Sequence, residues 1–202
     1  MPTKHVVKQY RAPAFYHVYN RASGERKLFR DSEDREYFLT LIQEHMSSCE
    51  SPEKGREYPK YDVEIVAYCL MGTHFHLLLY QEMDEQAMQG YMKSVSTRYS
   101  MYYNKKYRSK GHVFQSQYRA SWIYNEAYLA HITRYIHLNP QKYETYRWSS
   151  YRDYVGSGDN DWVRNDLAGE MRPEQYRQFV AEYADKNIRK VASDLVGLLS
   201  NR

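Results

Sequence analysis

Cysteine is nearly missing: Cys49 and Cys69 are the only two in 202 residues. Two thiols make no disulfide framework for a chain of this length, so a reducing, cytoplasmic setting is expected. Long apolar runs are missing too. No stretch approaches the roughly 20 apolar residues of a membrane helix, and no membrane partner is expected. The opening MPTKHVVKQYRAPAF has no apolar core of signal-peptide length. No GxxxxGK[ST] phosphate loop occurs, nor any internal repeat or low-complexity tract. Acid is missing locally. From Gln86 to Asn125 there is no Asp or Glu, although the whole chain carries only a mild net charge of +4.

That acid-free stretch holds Lys93, Arg98, Lys105, Lys106, Arg108, Lys110 and Arg119. Interleaved with them are Tyr91, Tyr99, Tyr102, Tyr103, Tyr107, Phe114, Tyr118, Trp122 and Tyr124. Tyrosine is abundant throughout, 23 against 6 phenylalanines, and offers a flat face with a polar tip. Cations mixed with aromatic faces suit a single-stranded nucleic acid, whose phosphates pair and whose bases stack. A solvated basic helix face would read the same way, so composition leaves both open.

The order of elements is legible. AFYHVYNR, residues 14–21, is aromatic and β-branched and predicts a strand. A helix is expected from Asp31, with Asp31, Glu33 and Asp34 acidic at its start, running to about Glu50. SPEKGREYPK predicts a loop, Val63–Leu70 a strand and Met71-Gly72-Thr73 a tight turn into a strand over His74–Tyr80. A long helix is expected over Asp84–Tyr107, a strand over His112–Ile123, and a helix from an Asn125 cap to Asn139. This is an α+β fold, a ferredoxin-like split βαβ with an antiparallel sheet and its helices on one face. GSGDND predicts a linker, and Arg172–Lys190 a helix. Residues 1–155 are therefore expected to form the domain and 156–202 a helical C-terminal extension.

The strand HFHLLLY asks why two histidines sit one residue apart in a buried run. Residues i and i+2 of a strand share a face, so His74 and His76 project together and can offer neutral nitrogens to one divalent ion. In ITRYIHLNP, Tyr135 and Asn139 lie one helical turn apart on one face, with His131 a turn earlier. Asn139 can complete a coordination sphere, and Tyr135 can attack a phosphorus atom. His131 is an alternative third ligand or a proton acceptor. His137 should face elsewhere. The plain alternative is one tyrosine among 23 and an asparagine that ends a helix before Pro140.

Four stretches in this order, YHVYNRASGERKLF, YCLMGTHFHLLL, GHVFQSQYRASWI and YIHLNPQKYETYRWSSYRDYVG, resemble the HUH single-tyrosine transposases, most closely the REP-associated tyrosine transposases. The resemblance spans about residues 14–155. It implies a metal-dependent enzyme that cleaves single-stranded DNA near hairpins through a 5′-phosphotyrosine. His74 and His76 would be ligands of Mg²⁺ or Mn²⁺, Asn139 the third ligand and Tyr135 the nucleophile. Arg21, Lys93, Arg98, Lys105, Lys106, Arg108, Lys110, Gln117 and Arg119 would contact DNA. The chain departs from its relatives at Gly72-Thr73, where they carry Pro and Asn, and at Gln141, where they carry Val. Monomer and homodimer both remain open. The alternative function is a catalytically vestigial protein that binds a DNA or RNA hairpin.

Overall fold

The aromatic and β-branched run AFYHVYNR, buried through Tyr16, His17 and Val18, builds β1 (Ala14–Arg21). In full, the order is β1, α1 (Ser32–Glu44), β2 (Glu64–Leu70), β3 (His74–Gln81), α2 (Ala87–Lys106), β4 (Arg119–Ile123), α3 (Leu129–His137), α4 (Tyr151–Tyr154) and α5 (Pro173–Ala184). The structure, a computed structural model, describes residues 10–48, 58–125 and 128–184. The sheet order is β2-β3-β1-β4, with every pairing antiparallel. β1 and β2 therefore run the same way with β3 between them, which is the split βαβ arrangement.

The pleat divides the sheet into two faces. Phe75 of β3 packs on Phe38 of α1, and Phe38 on Tyr99 of α2, so these two helices cover one face together, as the element order predicts. Gly90 lets Tyr61 lie against α2, because a Cβ there would overlap the tyrosine ring. The further helix, α3, covers the opposite face. Leu129, Ile132 and Ile136 are its buried stripe.

Several boundaries differ from expectation. Asp31 caps α1 through the Asp34 amide (3.0 Å), but the helix ends at Glu44, because the chain then bridges Met46 to Tyr61. β4 starts at Arg119, not His112. The residues before it bond to the end of β1, Gln115 N to Arg21 O at 3.0 Å. α3 starts at Leu129, and the Asn125 carbonyl accepts from the Tyr128 amide (2.9 Å). Residues after Gly156 are no free linker. Val163 pairs with Ile65, the Arg164 amide donates to Ile65 (2.8 Å), and Trp162 stacks on Tyr68 (5.4 Å). Together with Ser149 against Cys69, they cover the outer edge of β2, an edge otherwise open to pairing. Tyr176 and Val180 of α5 join the same buried cluster as the sheet. Cys49, most of the predicted loop (51–57) and the predicted helix beyond residue 184 lie outside the described residues.

Candidate active site

The turn at Met71–His74 closes with a bond from the Met71 amide to the His74 carbonyl (2.8 Å). The Gly72 carbonyl accepts from the amides of Leu28 and Phe29, which fixes where β3 begins. His74 and His76 then emerge on the face that α3 covers. In register, Arg21 stands opposite His74, Tyr19 opposite His76, and Arg119 opposite Tyr19. These residues line an open cleft of about 770 Å³ with Asn20, Thr73, Gln115 and Ser116.

Tyr135 hangs over this row from α3. Its ring meets the His76 ring edge-on at 5.5 Å and the His17 ring edge-on at 5.7 Å. One turn later, the Asn139 carboxamide hydrogen-bonds the His74 ring. Its Nδ2 donates to the Tyr135 carbonyl (2.9 Å), and Thr73 Oγ1 meets His74 Nδ1 (3.0 Å). His76 Nδ1 meets His17 Nε2 at 2.9 Å.

Burial governs the protonation of these groups. It holds His17 down to about 4 and His76 well below the ordinary imidazole range, the latter helped by the neighbouring His17 and His74. Burial also lowers His74, although the Asn139 bond draws it partly back and Arg21 lowers it further. All three rings are therefore neutral near pH 7, the form that binds metals. Burial, with Tyr19 nearby, raises the Tyr135 phenol above its ordinary value, so it carries its proton at neutral pH.

The donor set fits a divalent cation. Two neutral imidazoles share one strand face, and a carboxamide lies within hydrogen-bond reach of one of them. Among the described residues, no group of three or more His, Cys, Asp or Glu forms a metal cage. The remaining coordination would therefore come from Asn139, water or a substrate oxygen.

The predicted site residues separate into two groups. His74, His76, Arg21 and Arg119 line the cleft, and Tyr135 and Asn139 contact its two histidines. His131 does not. Its Nδ1 meets Arg134 Nη2 (2.7 Å) and its ring packs on Phe179 of α5 (5.5 Å). It belongs to the α3–α5 contact, so neither its ligand role nor its proton-acceptor role is carried forward. Lys93, Arg98, Lys105 and Lys106 ride on α2, across the sheet from the histidines. Arg98 pairs with Glu44 and stacks on Tyr58 (3.6 Å). Lys106 is held by Asp31 (2.9 Å), Glu33 (3.0 Å) and Asp34 (2.9 Å). Both are occupied with structural partners. Lys105, Arg108 and Lys110 are exposed at the end of α2 and the turn after it, and Gln117 is exposed just before β4. His137 faces away as expected, bonding Tyr176 Oη (2.6 Å) and Ser150 Oγ (2.8 Å).

Two site residues escaped the sequence reading, His17 and Tyr19. The signal was present: His17 and Tyr19 are two residues apart, as His74 and His76 are, and pairing the two strands antiparallel sets one row of rings beside the other.

Comparison with known proteins adds three findings. A family model described as "Transposase IS200 like" matches residues 13–139. No protein of curated function matches the chain. A solved structure of a REP-associated tyrosine transposase bound to a REP hairpin superposes with a TM-score of 0.58 at 14% identity. The match covers 83% of this chain and 93% of that one, and at this identity the likeness is one of fold.

Proposed function

The chain belongs to the IS200-like transposase family, and from that premise we propose that it is a metal-dependent endonuclease and strand transferase for single-stranded DNA. The substrate is DNA that carries a hairpin, the element held by the solved relative of the same fold. The observation that carries the reading is the convergence of four side chains, the cleft residues His74 and His76 with Tyr135 and Asn139 against them. Tyr135 lies edge-on to His76 at 5.5 Å, and Asn139, two residues past the end of α3, bonds His74.

His74 and His76 would hold a divalent cation, Mn²⁺ or Mg²⁺, through neutral nitrogens, and Asn139 would add its carboxamide oxygen. When bound, that cation supplies positive charge to offset the negative charge that builds on the phosphate oxygens. Tyr135 attacks the phosphorus. Its O–P bond forms as the bond from phosphorus to the 3′ oxygen breaks, leaving a 5′-phosphotyrosine and a free 3′-OH. The phenol loses its proton and the departing oxygen gains one, so the charges balance. The covalent link stores the bond energy for rejoining, and no nucleotide triphosphate is consumed. Arg21 and Arg119 on the cleft wall neutralise flanking phosphates. Lys105, Arg108 and Lys110 hold more distant phosphates at the end of α2, and the exposed Trp122 and Tyr124 give bases a stacking face.

The test is incubation with single-stranded hairpin DNA from repeats flanking the gene, with Mn²⁺, read on a denaturing gel. A protein–DNA adduct is expected, lost with EDTA and lost in Tyr135→Phe, while hairpin binding persists. An adduct that survives in Tyr135→Phe removes the tyrosine from this role. Tight binding with no adduct in either metal makes the chain a binding protein alone.

A further inference from the structure

We propose that His17 is a positioning residue that sets the tautomer of His76 and thereby makes its outer nitrogen a metal ligand. This rests on the reading of His76 as a ligand. The geometry is specific. His17 Nε2 lies 2.9 Å from His76 Nδ1, and the two rings are 14° from parallel with centroids 5.1 Å apart. Neither ring is free to turn. Tyr19 stacks against both, 5.4 Å from His17 and 5.7 Å from His76. Tyr135 closes over both edge-on. Both histidines are buried.

A neutral imidazole carries one N–H. Two neutral rings with facing nitrogens therefore share one proton between those nitrogens, in one of two ways. If His17 donates, the proton of His76 sits on Nε2, and that nitrogen has no lone pair to give. If His76 donates from Nδ1, its Nε2 lone pair is free and His17 carries its own proton on Nδ1. Only the second arrangement makes a ligand. A histidine that binds a metal commonly donates its other N–H to a carboxylate or a carbonyl. Here the acceptor is a second imidazole, which orients the ring without adding negative charge. Every protein group argued to serve the ion is then neutral: His74, His76, Asn139 and, behind them, His17. A site of this kind depends on orientation, because no anionic side chain among them holds the ion by charge.

Two substitutions separate orientation from packing. His17→Phe keeps an aromatic ring between Tyr19 and Tyr135 and removes the acceptor. His17→Gln restores an acceptor oxygen near the position of Nε2. The full-length chain is titrated with Mn²⁺ by calorimetry, and its histidine tautomers are read without metal from long-range ¹H–¹⁵N spectra. In the wild type, His76 is expected as the Nδ1–H tautomer. His17→Phe is expected to weaken Mn²⁺ binding by about 10- to 100-fold, and His17→Gln to recover most of that loss. Hairpin binding in EDTA should be the same in all three.

Mn²⁺ binding in His17→Phe equal to the wild type overturns the proposal, as does a His17→Gln no better than His17→Phe. If the wild type takes up no Mn²⁺, the ligand reading of His74 and His76 fails. The spectrum then decides the role of His17 alone: Nδ1–H at His76 supports it, and Nε2–H overturns it. The wild-type spectrum needs no variant, so a misfolded His17→Phe leaves the test intact.

Discussion

Replacing Lys106 by methionine should destabilise the fold and leave DNA binding unchanged, the reverse of what its place in a basic stretch suggests. The Lys106 ammonium lies 2.9 Å from Asp34, a carboxylate with 0% side-chain exposure. It also meets Asp31 and Glu33, and Tyr102 Oη at 3.0 Å. Removing one partner of a fully buried pair costs about 3–5 kcal/mol, while an exposed pair is worth about 0–1 kcal/mol. The lysine keeps 19% of its side-chain exposure, and Asp34 retains Tyr107 Oη (2.7 Å), Tyr102 Oη (3.2 Å) and the Arg30 amide (2.7 Å). These partners place the loss between the limits, at about 2–3 kcal/mol. For a chain of 150–250 residues each kcal/mol moves Tm by roughly 2–4 °C, so Tm should fall by about 4–12 °C. Calorimetry measures the fall, and fluorescence anisotropy over a salt series measures the binding of hairpin DNA. An unmoved Tm with a shallower salt slope would refute the reasoning and return Lys106 to the DNA surface.

The exposed cations nearby should behave in the opposite way. Lys105→Ala with Arg108→Ala is expected to leave Tm unchanged and to flatten the salt dependence by about 0.7 in slope for each single-strand phosphate that is no longer neutralised; an unchanged slope would make them solvated surface only. Acid should weaken the fold through His137, whose pKa burial holds at about 3. The native ring stays neutral while the unfolded ring takes up a proton below about 6.5, so this contribution is complete above pH 6.5 and fades as pH falls towards 3. At pH 5 the loss is about 2 kcal/mol. A His137→Gln chain should lose close to one proton from the acid slope of its stability, and an identical slope in both chains would count against this.

Strands rich in aromatic, β-branched and apolar residues and bounded by turn residues were legible from composition. AFYHVYNR and HFHLLLY name both their elements and the side on which the histidines stand. The pair Tyr135 and Asn139 was legible from its four-residue spacing before Pro140, although α3 itself ends at His137. What was not legible depended on neighbours distant in sequence. Nothing local to Lys106 announces that Asp31 and Asp34, some seventy residues earlier, claim it. His131 and Asn139 are equally good candidates by spacing, and only the docking of α5 directs His131 to Arg134 and Phe179. GSGDND has the composition of a linker, yet the residues after it cover the β2 edge, because an unpaired row of backbone groups is a stronger constraint than local sequence. His17 was hidden because a lone histidine in a strand acquires a meaning only once its partner strand is known.

The polar chain through His137 bears on what could move during the proposed transfer. Tyr176 Oη joins Thr133 (2.9 Å) and His137, and His137 joins Ser150, whose Oγ accepts from the Tyr68 amide (2.8 Å). Swinging α3 aside would break the bonds of His137 together, and each buried group left unsatisfied costs about 1–3 kcal/mol. A displaced helix is then several kcal/mol uphill and occupied well below one molecule in a hundred. The phenol of Tyr135 is left with the rotation of its own side chain. If cleavage and rejoining both use it, the DNA ends must trade places around a stationary tyrosine, and the pace of exchange belongs to the nucleic acid.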